Sequence, residues 1–323
     1  MSDELLRTLA SVLAVSAPLI YAGIGETLTE KAGVINLSLD GSILLSAMGG
    51  FAAAYVTGSL IVGFVAAALI GAAVAALIAF ASISLRQDQV AVGFVLTLLC
   101  ADLSSFLGNP YVRKPGPSVP HMPIPVLADI PVIGPLFFSQ DLVVYGSFLL
   151  IIVSWLWTFK TQPGLRMQSV GERPEAAFAR GTNVNRLRYL YTILGGALVG
   201  IAGASYSLDI KLGWSHHHTA GNGWIALAIV IFGGWHPLRV AFGAYLFGGL
   251  KALGSVMQRV APGVPTQIFQ AAPFALMIVA LLLVSSNVLD RVLAFLPRRM
   301  RRRAINIVRS PPPAALGKPF VEE

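Results

Sequence analysis

Residues 59–82 read SLIVGFVAAALIGAAVAALIAFAS. The run carries no charge, and it exceeds the roughly 20 residues that an α-helix needs to cross the hydrocarbon of a bilayer. Comparable apolar stretches lie near 5–25, 37–57, 89–108, 141–159, 189–207, 223–234, 238–257 and 267–287. The pattern predicts an all-α fold: a polytopic transmembrane helical bundle of about nine spans, within a range of 8–10. The bulk composition agrees. The 323 residues are 55% hydrophobic and 12% charged, with a mean hydropathy of +0.73. Soluble domains carry roughly 25% charged residues, so this chain cannot cover a water-facing surface of its own size. Its 32 glycines suit the close helix contacts found in membranes.

The net charge of +8 is unevenly placed. Lys160, Arg166, Arg173, Arg180, Arg186 and Arg188 form one cluster, and Arg291, Arg298, Arg299, Arg301, Arg302, Arg303, Arg309 and Lys318 form another. Both flank apolar spans, so the positive-inside rule explains the basic balance better than nucleic-acid binding does. Placing 160–188 and the C-terminal tail in the cytoplasm requires an even number of crossings between them, and four apolar segments lie there. The loop 235–239 and Arg86 then fall inside. Segments 109–140, 208–222 and 258–266 fall outside, as does the N-terminus. Residues 26–36 become a cytoplasmic loop. The seventh segment, flanked by Gly221, Gly223, Gly233 and Gly234, is short; it reads either as a half-helix or as part of its neighbour. The stretch 109–138 is too rich in proline for a regular helix and reads as a loop over the outer face.

Residues 1–297 thus form the transmembrane domain, and 298–323 read as a basic, disordered cytoplasmic tail. The first apolar stretch is followed by Glu26-Thr27-Leu28-Thr29-Glu30 rather than a small-residue cleavage site, so it reads as a retained span. Cys100 is the sole cysteine, which excludes an internal disulfide, and no Cys/His cluster has zinc spacing. Three adjacent histidines, His216 to His218, have poor mutual geometry for one metal ion. No segment has the spacing of a phosphate-binding loop, so the chain is not expected to hydrolyse ATP.

One polar segment stands out among short loops: about 162–187, on the cytoplasmic side. Pro174 suits the first turn of a helix, Glu172 and Glu175 suit its positive end, Gly181 can stop it, and Asn183 or Asn185 can cap the span that follows. The result is a short helix lying across the membrane face. It is read either as an ordinary basic loop or as a docking element for a cytoplasmic motor.

The run Val170-Gly171-Glu172-Arg173-Pro174-Glu175-Ala176-Ala177 through Val184 resembles the coupling loop of the branched-chain amino acid, ribose and nucleoside ABC permeases, whose pattern is close to G-E-n-p-x-A-A-x-x-x-G-I-x-V. Gly171, Glu172, Pro174, Ala176, Ala177, Gly181 and Val184 match; Thr182 departs from the usual isoleucine. Residues 30–41 (EKAGVINLSLDG) are similar to the nucleoside branch's E-r-a-G-v-x-N-i-g-l-E-G, with Ser38 for glycine and Asp40 for glutamate. Residues 223–237 resemble the family's G-x-x-I-A-v-A-l-x-G-x-w-x-P. The resemblance implies an ABC importer permease fold with some broken helices, in the inner (plasma) membrane of a prokaryote. It also implies the partners: two cytoplasmic ABC ATPase domains, a second and paralogous permease, and an extracytoplasmic solute-binding protein. The cargo it implies is a nucleoside or simple sugar. No cofactor is expected on this chain, ATP being used by the partner subunits, and no nucleic acid.

Polar residues at membrane depth usually face a pathway or a partner. Asn36, Ser38 and Asp40 open the second span, and Asp40 reads equally as an interfacial helix cap. Thr97 and Asp102 lie within 89–108. Asn222 and Trp224 begin the short seventh segment, where Trp224 is read either as a stacking surface for a nucleobase or as part of an interfacial aromatic belt. Interrupted helices commonly line substrate sites, which pairs 33–50 with 221–234. Two other classes remain in view. A secondary transporter needs ion or proton sites, and only Asp40 and Asp102 are available for that. A membrane-embedded enzyme needs a di-acidic, Ser/His or H-E-x-x-H motif, which the sequence lacks.

Overall fold

The computed structural model describes residues 3–260, individual positions between 263 and 278, and residues 311–321. Ten α-helices fall in the first of these: α1 (Asp3–Lys31), α2 (Leu39–Thr57), α3 (Leu60–Ala79), α4 (Gln89–Gly108), α5 (Leu142–Lys160), α6 (Gln162–Glu172), α7 (Pro174–Ala179), α8 (Val184–Ser205), α9 (Asn222–Phe232) and α10 (Pro237–Val260). π-helical turns prolong α3 through Ser84 and α8 through Ile210. Seven of the helices, with these extensions, are long and apolar enough to cross a membrane: α1 to α5, α8 and α10.

Local chemistry sets the helix starts. Ser59, Asp88, Asp141, Thr161 and Asn183 each stand at an N-cap, where the side-chain oxygen accepts a backbone N–H of the first turn. Gly58 ends α2 in the left-handed conformation that favours glycine at such a stop.

Of the two readings of 223–234, a half-helix or part of its neighbour, the structure has the half-helix. As α9 it has 11 residues, about 16 Å at 1.5 Å per residue, or half the bilayer core. One boundary departs from the expected plan: the first helix does not stop near residue 25. It runs to Lys31, and the polar stretch expected to be a loop from Glu26 is mostly helix. Burial of the carboxyl groups against partners inside the bundle, described below, is what lets the helix carry them. The ninth expected span, 267–287, lies largely outside the described residues. The proline-rich stretch is irregular as expected. It lies along the far end of α8, with the Val119 N–H donating to the Leu208 carbonyl at 3.0 Å and the Arg113 N–H to the Trp214 carbonyl at 3.0 Å.

Helix α8 is the hub, and glycine is the reason. Gly25 of α1 lies on the Gly195 carbonyl, Gly203 lies on the α2 backbone at Ile43 and Ala47, and Gly71 of α3 lies against Gly196 and Gly200. Helices in lipid gain nothing from hydrophobic expulsion of water from one another, so such close backbone approach is a main source of their attraction. The apolar core runs through α1, α2, α8, α9 and α10 around Leu19, Ile43, Val199, Ile225 and Val240. Outward faces of α3, α4 and α5 are strongly apolar and exposed: Ile61 at 76%, Phe106 at 77% and Leu149 at 63%. Such faces suit contact with lipid or another apolar subunit.

The α6–α7 pair lies across one end of the bundle. The last turns of α1, α3 and α5 and the first turns of α2, α4, α8 and α10 meet at the same end: Gly171 abuts the Lys31 carbonyl, Ser84 bonds Tyr189, and the Ile35 N–H donates to Gln89. Residues 311–321, part of the tail expected to be disordered, are packed here. Ala315 and Phe320 are buried, because apolar side chains in this short run find cover between α6, α7 and the α1–α2 junction.

Overfilling the α3–α8 seam tests this architecture. Gly196→Leu is expected to lower the thermal unfolding midpoint of the detergent-purified chain, since overpacking a closed contact costs about 1–3 kcal/mol. Leu149→Ala, on an exposed face, is expected to leave it unchanged. An unshifted midpoint for Gly196→Leu would place the seam elsewhere.

Candidate functional site

The break between α1 and α2 is held by a network of buried polar groups. After Lys31 the chain turns at Gly33, whose φ of +94° favours glycine. Residues 34–36 are irregular before a turn leads into α2 at Leu39. At this depth the freed backbone groups need partners inside the protein. The Asn36 N–H donates to Glu26 Oε1 at 3.1 Å, and Asn36 Oδ1 accepts from the Ser38 N–H at 3.0 Å and its hydroxyl at 2.7 Å. Ser38 Oγ also pairs with Ser42 Oγ at 3.0 Å. Thr97 of α4 donates its hydroxyl to the Leu37 carbonyl at 2.7 Å. In this conformation Asn36, Ser38 and Thr97 are therefore sealed side chains that brace the break.

Asp40 lies one step further on, in the first turn of α2. Its Oδ1 accepts the Gly223 N–H at 2.9 Å, so it stands at the start of α9, where a negative group is favoured by the helix dipole. The residue reads as a cap in the structure as it did in sequence, but it caps another helix rather than its own. Gly223 lies directly against the Leu39–Asp40 backbone, leaving no room there for a side chain. The two glycine-broken segments paired from sequence thus meet at one point.

Asn222 joins them. Its amide donates to the Thr219 carbonyl at 2.8 Å, and its Oδ1 accepts from Lys251 Nζ of α10 at 2.7 Å. Trp224 is 36% exposed with its ring beside Phe94, centroids 6.5 Å apart. Of the six expected pathway residues, Asp40, Asn222 and Trp224 gather at the start of α9, while Asn36, Ser38 and Thr97 sit behind them. Asp102, by contrast, lies on an exposed face of α4.

Sequence reasoning passed over three charged residues that this region uses. Lys251 is a cation in the middle of the apolar run 238–257, whose other cation, Arg239, stands at its edge, and that depth is itself the signal that could have flagged it. Glu26 and Glu30, one helical turn apart, were assigned to a loop. Both are buried: Glu26 holds Asn36, and Glu30 accepts the indole N–H of Trp235 in the turn after α9. Beside that turn His236 stacks on Phe159 at 4.9 Å. Burial, then the cations Arg239 and Lys31, pushes its imidazole below the usual range. His216 and His218 pack edge-on against Trp214, at 5.2 and 6.3 Å. Among the described residues no group of three potential ligands could hold a metal ion.

The second half of the site is the α6–α7 pair. The short helix expected from Pro174 is α7, and α6 precedes it as a separate element. Thr161 caps α6, and Gln168 Nε2 donates to the Thr158 carbonyl at 2.7 Å, folding α6 back against α5. Gly171 is buried, while the Glu172 side chain is exposed. Pro174 and Ala177 face inward and Ala176 outward. Gly181 has φ +79° with its α-carbon facing open space. The Gly181 N–H donates to the Phe178 carbonyl and the Thr182 N–H to the Ala177 carbonyl, a Schellman stop that ends α7. Asn183, not Asn185, caps α8. An open groove of about 750 Å³ runs along the pair, lined by Arg166, Arg173 and Arg180 with Glu172 among them.

Residues 8–281 match the family model described as branched-chain amino acid transport system / permease component. The chain belongs to that permease family. It is 40% identical over 239 residues to a putative glucose ABC transporter permease, TsgC13 of Haloferax volcanii, covering 73% of each chain. It is 34% identical over 288 residues to the nucleoside ABC transporter permease NupC of Lactococcus lactis, covering 85% of this chain and 90% of that one. The guanosine ABC transporter permease NupQ of Bacillus subtilis is also 34% identical over 288 residues, covering 84% and 89%. No solved structure matches the chain. For this permease, the expected bundle of membrane-crossing helices holds.

Asp40→Ala is expected to destabilise the permease by about 1–3 kcal/mol, the cost of leaving buried donors without an acceptor. Asp40→Asn, which keeps a carbonyl oxygen, is expected to recover most of the loss. Thermal unfolding in detergent reads both; equal stability of the Ala variant and the wild type would remove Asp40 from its role at α9.

Proposed function

We propose that this permease forms one half of the transmembrane pathway of an ABC importer for a nucleoside or simple sugar. The other half is a second, paralogous permease. A solute-binding protein delivers the cargo on the outer side, and two ABC ATPase domains, on separate subunits, hydrolyse ATP in the cytoplasm of a prokaryote. The observation that carries this reading is the α6–α7 pair, which is braced against the ends of α1, α5 and α8 and presents Arg166, Arg173 and Arg180 outward. A pair of helices so placed is a handle on the bundle. The names of the three relatives support the class and the cargo.

Charge supports the orientation. Lys31, Arg86, Lys160, Arg186, Arg188 and Arg239 lie at the α6–α7 end of the bundle, and cytoplasmic ends carry the excess of Lys and Arg. With that end in the cytoplasm, α9 begins at membrane depth and returns to the inner side. The cargo passes its start. There Trp224 offers an aromatic face to a planar base, and Asp40, Asn222 and Lys251 offer one acceptor, one amide and one donor. ATP acts by favouring one arrangement of the bundle over another, because only a difference in binding between states shifts their balance.

Two measurements test the reading. Glu172→Lys inserts a cation among three arginines and is expected to abolish co-purification of the ATPase subunits while membrane insertion stays normal. Trp224→Ala is expected to raise the KM for guanosine uptake into proteoliposomes by about fivefold or more, since one base–aromatic stack is worth roughly 1–3 kcal/mol. Normal assembly of the Glu172→Lys complex would end the coupling role. An unchanged KM for both guanosine and glucose would end the cargo path at α9.

A further inference from the structure

Residues 311–321 are not used by any step above, yet they are bonded to three separate parts of the permease. The Ala315 N–H donates to the Gly171 carbonyl at 2.9 Å, at the end of α6. The Gly317 N–H donates to the Gly33 carbonyl at 3.1 Å, at the α1–α2 break. Arg188 Nη1, at the start of α8, donates to the Lys318 carbonyl at 2.8 Å. The Ala314 N–H reaches Glu172 Oε2 at 3.3 Å.

The sequence suits a strap. Pro311-Pro312-Pro313 fixes an extended lead-in with little conformational freedom to lose. Ala314 and Ala315 are small enough to let the backbone lie against α6. Gly317, at φ +74°, makes the bend beneath Ile35. Phe320 then closes the run as an anchor. It is 7% exposed, set among Val170, Ala177 and Val184, with the Phe178 ring 5.6 Å away. That pocket is made by α6, α7 and the start of α8 together.

We propose that residues 311–321 are a mechanical tie that transmits displacement of the α6–α7 pair to the α1–α2 break, with Phe320 as its positioning residue. The proposal rests on the coupling role given to α6–α7. Gly33, the strap's far anchor, is three residues before Asn36 and seven before Asp40, which holds the start of α9. A shift of α6 is therefore passed by backbone bonds to the break, and from the break to the residues that face the cargo. Among the described residues, Gly171 otherwise meets the α1–α2 junction by close approach to the Lys31 carbonyl, and the strap adds the directional backbone bonds from α6 to the break.

The test uses the full complex with its partner subunits, wild type against Phe320→Ala, Phe320→Leu and a chain ending at Ser310. The first readout is hydrogen exchange at residues 32–38 and 174–179, with and without a non-hydrolysable ATP analogue. Wild type is expected to change at both segments. Phe320→Ala and the truncated chain are expected to keep the response at 174–179 and lose it at 32–38, and Phe320→Leu is expected to restore it. The second readout is guanosine moved per ATP hydrolysed, expected to fall at least about fivefold in Phe320→Ala, the low end of an ordinary inter-site coupling. An unchanged nucleotide response at 32–38 in Phe320→Ala overturns the tie. So does a wild type with no response there. Loss of the ATPase subunits from Phe320→Ala would assign the strap to docking and overturn the proposal as well. Failure of the coupling role itself is read separately, from normal assembly of Glu172→Lys.

Discussion

A backbone amide at the depth of a bilayer has no water to bond with, so each interruption of a membrane helix must be closed by groups the protein supplies. This permease interrupts its helices twice near the same point, and two carboxylates close the gaps. Glu26 takes the N–H of Asn36, and Asp40 takes the N–H of Gly223. The rest of the polar centre depends on those bonds. Asn36 can brace Ser38 only because its own backbone is held, and Asn222 can face Lys251 only because α9 begins beside Asp40.

The same constraint explains why the polar chemistry divides into two layers. Residues that fix the break, Asn36, Ser38 and Thr97, are consumed by internal hydrogen bonds. Residues at the start of α9, Asp40, Asn222, Trp224 and Lys251, combine a structural bond with a position beside a half-exposed aromatic ring. A carrier that must change shape benefits from this arrangement. A break braced by several short polar bonds has discrete arrangements rather than a continuum, and packed interfaces switch between such states instead of deforming gradually.

The glycine seam around α8 is the complementary rigid part. Gly195, Gly196, Gly200 and Gly203 bring α1, α2 and α3 into backbone contact with one helix, and α8 starts directly after the α6–α7 pair. The helix that receives the pair is thus also the one against which the broken helices pack. With residues 311–321 laid over the α6–α7 end, the α6–α7 pair, the hub and the break become a single connected body.

Sequence by itself determined the helical membrane class, because apolar length is written residue by residue and lipid admits few alternatives. It also located α7, from Pro174 to the stop at Gly181, and narrowed the cap of α8 to Asn183 or Asn185, since these residues act on their own neighbours; α6 as a separate helix was not legible in it. It gave the pairing of 33–50 with 221–234 only as a class of feature, broken helices near a pathway. What tertiary structure alone decided is which polar group meets which. Glu26 and Glu30 looked like the edge of a loop until Asn36 and Trp235 were seen to partner them. Lys251 had no visible reason to sit in an apolar run until α10 packed beside α9. The 311–321 segment read as part of a disordered tail until the Gly171 and Gly33 carbonyls and the Arg188 side chain were seen to bond it. Local rules act within a few residues along the chain, whereas the worth of a buried polar group depends on partners far along it, 205 positions apart for Glu30 and Trp235 and 228 for Ser16 and Ala244, and only the packed fold brings those together.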